Sequence, residues 1–187
     1  VENMVATAHR RLGLPKRPSH AEGKWARPRV TIVHRLGNRR LANLQFLTLA
    51  LHDLDMDATV VALECMPLEA QVVLVSNSST LLGVHGAGMT LGHVTPWDAL
   101  VIELRSGPCT EEARGIPYQM RKRNKILPAV KAAVLPHKGC PQPWKYNSRL
   151  YDVVIDVAAV LDTVQRLDPI AAARRGAARR ARRPLSP

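Results

Sequence analysis

Four short, nearly unbroken apolar runs constrain this chain more than any other feature. They are Val30-Thr31-Ile32-Val33, Ala58 to Leu63, Leu81 to Val84 and Ala99 to Leu104. Runs of this length and continuity read as strands buried on both faces. Between them lie segments with helical spacing. Asn38, after the break at Gly37, suits a helix N-cap, and Leu41, Leu44, Leu47 and Leu51 form one apolar stripe behind it. Pro67 suits the first turn of a second helix that Leu68, Val72, Val73 and Val75 continue. Strands alternating with helices predict an α/β fold, a parallel sheet covered by helices on both faces.

The rest of the chain fits around that unit. Val1 to Leu14 reads as a short amphipathic helix, and Pro15 to Pro28 as a linker rich in proline and basic residues. Glu111 to Arg123 is helix-prone, and Ala129 to Leu135 is a candidate fifth strand. Asp152 to Leu167 reads as a closing helix, with Val153, Ile155, Val157, Val160, Leu161 and Val164 apolar. This divides the chain into a helix and linker from a missing or truncated N-terminal lobe (1–28), one sheet domain (29–168) and a disordered basic tail (169–187). The first residue is not Met, and the chain reads as a fragment.

Composition narrows the function. The 187 residues suffice for one good core, and 46% hydrophobic content excludes a disordered chain. Only 4% are aromatic, which argues against platforms that stack nucleic-acid bases. Removing Arg174, Arg175, Arg179, Arg180, Arg182 and Arg183 from the +12 total leaves +6, so half the excess charge belongs to the tail. Such a tail suits non-specific contact with polyanions rather than a specific nucleic-acid site. Cys65, Cys109 and Cys140 match no zinc spacing. They fit either a Cys109–Cys140 disulfide with Cys65 buried and free, or three reduced thiols. No apolar run is long enough to span a membrane.

Ligands on parallel sheets bind where strands exit at their C-terminal ends. Here those exits carry Arg35, Glu64, His85 and Glu103. Arg35 and Arg39 suit a diphosphate, and Asn43 shares the helical face of Arg39. The bland alternative is a solvated loop with basic decoration. His85-Gly86-Ala87-Gly88-Met89 has the order of a strand, a tight turn and a helix start, where small residues let an anion approach backbone N–H groups. His85 is a phosphate donor or, by position, a candidate catalytic base. Glu103 suits a ribose, or pairs with a neighbouring Arg. Asp53, Asp55 and Asp57 lack the glycine and glutamate of a calcium loop and read as a solvated turn, so no metal is expected there. His-Gly-Ala-Gly also occurs in esterase oxyanion loops, but the Gly-x-Ser-x-Gly nucleophile turn is missing.

Arg35, then Asn38-Arg39-Arg40-Leu41-Ala42-Asn43, Leu63-Glu64, Pro67 to Gln71, Leu82 to Thr90 and Val101 to Leu104 occur in order with short gaps. This string resembles the C-terminal half of glycosyltransferase family 61. That family includes protein O-linked N-acetylglucosaminyltransferases and plant-type xylosyl- and arabinosyltransferases. The resemblance implies a Rossmann-like sheet, the C-terminal lobe of a GT-B-type enzyme, binding a UDP-sugar and transferring the sugar with inversion to a glycan or protein hydroxyl. It implies Arg35 and Arg39 on the donor diphosphate, backbone donors from His85, Gly86, Ala87, Gly88 and Met89, and Glu103 on the ribose. It also implies no metal cofactor, residence in the Golgi or endoplasmic reticulum lumen, and attachment to a membrane only through an anchor absent from this chain. Leu91-Gly92-His93 and Trp97-Asp98 depart from the family pattern near the sugar pocket. The alternatives are an inactive or truncated relative that only binds nucleotide, and a basic nucleic-acid-binding module.

Overall fold

The computed structural model describes residue 7 and residues 10–13, 26–84, 86–96, 98–105, 132–136 and 152–181. Its centre is a sheet of five parallel strands: β1 (Arg29–Val33), β2 (Asp57–Val61), β3 (Thr80–Val84), β4 (Leu100–Arg105) and β5 (Ala132–Pro136). Their spatial order is β2-β1-β3-β4-β5. The chain therefore winds outward from β1 in one direction and from β3 in the other. The reversal falls between β1 and β3, where open α/β sheets form a crevice.

Alternate strand residues face opposite layers. On one side Val30, Ile32, Leu82, Leu100 and Ile102 pack under α1 (Leu44–Asp53), α3 (Val157–Leu167) and α4 (Pro169–Ala181), which supply Leu47, Leu51, Val160, Val164 and Ala171. On the other side Val33, Leu81 and Val101 pack with Val75 of α2 (Leu68–Ser76), Leu63 and Met89. β3 is buried at every position because it has strands on both edges and layers on both faces. β2 is the exception: it is an edge strand, with Val60 40% exposed.

Several sequence expectations need correction. The first helix begins at Leu44, not after Asn38, because Arg39 has φ 59° and residues 40–43 pair with a distant segment instead. Leu41 thus leaves the helical stripe and bridges to Val153. The closing helix begins at Val157, capped by the Asp156 side chain, which accepts from Ala159 N. Asp152 to Ile155 is extended, and Val153 and Ile155 are buried as alternate residues of an extended chain. The segment after Gly86 is a 3-10 helix (Ala87–Val94) rather than an α-helix.

The basic segment from residue 169, expected to be disordered, is helical to Ala181. Asp168 accepts from Ile170 N at 2.9 Å and Ala171 N at 3.0 Å, capping α4. Arg174 of α4 and Arg27 both bind Asp55, at 2.6 and 3.1 Å. The Arg174 hydrogen bond, helped by both positive charges, holds the Asp55 carboxyl below its ordinary range. One member of the Asp53-Asp55-Asp57 triplet is thus engaged by arginines. Cys65 is exposed rather than buried, while Cys109, Cys140 and the helix-prone 111–123 stretch lie outside the described residues. No helix among the described residues is long and apolar enough to cross a membrane.

Candidate functional site

The switch point is built from two adjacent strand exits. His34 N donates to Val61 O at 2.9 Å, prolonging the β1–β2 ladder by one residue before Arg35 departs. Next door, β3 ends at Val84 and the chain reaches Gly86. A Cβ built on Gly86 would lie 2.7 Å from Arg35 Nη1 and 3.6 Å from Arg39 Nη2. Both guanidinium groups are therefore gathered over one glycine. Gly86 has φ 164°, extended backbone open to any residue, so space is what demands a glycine here.

Arg39 reaches this position through a left-handed backbone, φ 59°. A non-glycine residue there costs roughly 1–2 kcal/mol. Consecutive side chains consequently diverge. Arg39 turns toward Arg35 and Gly86, while Arg40 binds Asp152 with Nη2–Oδ2 at 2.8 Å. Two guanidinium forks brought together repel each other, and a doubly charged anion between them relieves that repulsion.

The turn beside them is packed tightly onto the sheet. Met89 N donates to Gly86 O at 3.0 Å, the first bond of the 3-10 helix, so the N–H groups of Ala87 and Gly88 precede any intrahelical acceptor pairing of that kind. A Cβ on Gly88 would lie 3.1 Å from Leu63 Cδ1, and one on Gly83 2.7 Å from Met89 Sδ and 3.0 Å from Val33 Cβ. Gly88 and Met89 thus settle the turn against the sheet, with the Met89 side chain in the core. Ala87 is exposed at the rim.

The remaining candidates fall differently. Glu103 is opposite Gly83 in the β3–β4 register, and it is enclosed within the sheet layer at 1% exposure. Asn43 does not face the arginines. Its Nδ2 donates to Ile155 O at 2.9 Å and its Oδ1 accepts from Ile155 N at 3.0 Å. Glu64 is exposed on the 3-10 turn after β2. His85 lies outside the described residues.

Two neighbours escaped sequence reading. Asp152 accepts from the Arg40 backbone and side chain, and these bonds hold its carboxyl below the ordinary carboxylate range against the opposing effect of burial. His34 Nδ1 is enclosed and has no hydrogen-bond partner among the described residues. Nothing local in the sequence marks Asp152, which is 112 positions from Arg40.

The doubly wound parallel sheet is an α/β architecture, and the paired arginines stand at its switch point, where open sheets of this kind place their ligand crevice. No family model matches the chain. Over 78 residues it is 37% identical to the beta-1,2-xylosyltransferase XAX1 of rice (Oryza sativa subsp. japonica). That match covers 42% of this chain and 14% of the rice protein, so the chain spans a small part of that relative's length. The similarity is distant and partial, and it points to the glycosyltransferases.

Proposed function

We propose that this chain is the nucleotide-sugar-binding lobe of a GT-B-type glycosyltransferase of family 61. Its donor is a UDP-sugar and its acceptor a hydroxyl of a glycan or protein in the Golgi or endoplasmic reticulum lumen. The convergence of Arg35 and Arg39 on Gly86 at the switch point carries this reading. In the reaction, an acceptor O–H gives its proton to a base as its oxygen attacks the anomeric carbon. The bond from that carbon to the β-phosphate oxygen breaks with inversion, and UDP leaves with the electron pair. Charge grows on the diphosphate as the bond breaks. Two preorganised guanidinium groups, with the nearby N–H groups of Ala87 and Gly88, stabilise it where a divalent cation serves in other transferases. By the family resemblance, Glu103 on the next strand is the carboxylate assigned to the ribose.

The test is a ligand series without added metal. Melting temperature is expected to rise with UDP, less with UMP, and hardly at all with uridine, because the phosphates carry the affinity. Equal shifts for UDP and uridine, or none, would remove the reading. Gly86→Val sharpens it. The new side chain displaces Arg35, the flexible end of a rim residue, so stability changes little. UDP binding weakens about tenfold or more through the loss of one charge-assisted hydrogen bond. Calorimetric titration of UDP into the variant measures this directly.

A further inference from the structure

The segment from Asp152 to Ile155 is laced to the residues that follow Arg39. Arg40 N donates to Asp152 Oδ1 at 3.0 Å, and Arg40 Nε reaches the two carboxylate oxygens at 3.2 and 3.1 Å. Arg40 Nη2 completes the fork at 2.8 Å. Val153 N donates to Arg40 O at 2.7 Å, and Ala42 N donates to Val153 O at 3.0 Å. The Asn43 carboxamide then holds both backbone groups of Ile155. Leu41 and Val153, the bridged pair, are buried at 3% and 2%. Every residue from 40 to 43 is therefore anchored before α1 begins.

Arg39 stands immediately upstream, in the left-handed conformation. An arginine does not keep that backbone unaided, because the right-handed region is favoured. If it relaxed, the side chain would turn away from Arg35 and Gly86. Exposed ion pairs usually contribute little. This one also receives a backbone N–H and sits at the end of a buried bridge, so it fixes geometry more than it adds stability.

We propose that Asp152 is a positioning residue: its clasp on Arg40 imposes the backbone turn that aims the Arg39 guanidinium at the anion site. The proposal rests on the reading of Arg39 as a ligand of the donor diphosphate. It extends the site to a segment outside the residues whose pattern resembles the transferases. The titratable groups acting on Asp152 are Arg40, which clasps it, and His34. Because the Asp152 carboxyl is held below its ordinary range, the clasp is complete above the usual carboxylate pKa near 4 and opens as pH falls through the lowered value. At neutral pH it is closed.

The experiment titrates UDP and uridine into the 187-residue chain at neutral pH, as wild type, Asp152→Asn, Asp152→Glu, Arg39→Ala and the Arg39→Ala/Asp152→Asn double variant. Asp152→Asn is expected to weaken UDP about tenfold, the size of coupling seen within one side-chain network, and to leave uridine unchanged. Asp152→Glu recovers part of the loss. In the Arg39→Ala background Asp152→Asn has no further effect, because the residue it positions is gone. Additive losses, or equal losses for UDP and uridine, overturn the proposal. A wild-type chain that binds no UDP overturns the underlying reading. The clasp is read separately by amide exchange at Ala42 and Val153: faster exchange in Asp152→Asn than in wild type supports it, and unchanged exchange overturns it.

Discussion

Replacing Arg35 and Arg39 together with alanine is expected to weaken UDP binding by about a hundredfold to ten-thousandfold. Each guanidinium supplies a charge-assisted contact of about 1.5–3 kcal/mol, and the two act on one diphosphate. Both side chains are half-buried at the rim rather than in either core, so the melting temperature of the unliganded chain should hardly move. The paired lysine variant keeps the charge and loses the fork geometry, and it should fall between alanine and wild type. Isothermal calorimetry across the three chains measures the effect. Unchanged affinity in the alanine variant would place the nucleotide elsewhere on the molecule.

Asp168→Ala is expected to have the largest effect on stability, a loss of about 3–5 kcal/mol. Asp168 is fully buried, and its carboxylate has three partners in two layers. Thr80 Oγ1 donates to Oδ2 at 2.7 Å from the first residue of β3, and Ile170 N and Ala171 N donate to Oδ1 from the first turn of α4. Removing it strands one hydroxyl and two backbone donors, each costing about 1–3 kcal/mol where water cannot replace the partner. Thr80→Val removes a single partner and should cost less than half as much. Urea unfolding of both variants distinguishes them. An Asp168→Ala chain within about 1 kcal/mol of wild type would show that α4 does not need this anchor.

The two predictions differ in how far their basis could be read from the chain itself. Arg35 and Gly86 each sit next to a recognisable apolar run, so their place at strand exits follows from local pattern. That the two exits are neighbours does not follow, because strand order is a property of the assembled sheet. Asn43 shows the opposite failure. Its spacing from Arg39 suggests a shared helical face, but no helix exists at that point, and its carboxamide is used on Ile155. The tail misleads for a related reason. Its arginines and alanines look like a solvated end, while the residue that holds it, Asp168, acts through Thr80, 88 positions away.

The amino-acid sequence alone determined the strand–helix alternation, the parallel sheet with layers on both faces, and the arginine and glycine positions at two strand ends. Each of these is written in the spacing of neighbouring residues, because burial on a strand or helix face repeats with a fixed period. Only the tertiary structure decided that β1 and β3 lie side by side, that Arg39 adopts a left-handed turn, and that Asp152 and Asp168 tie distant segments to the sheet. Those outcomes depend on hydrogen-bond partners far apart along the chain, which local periodicity does not encode.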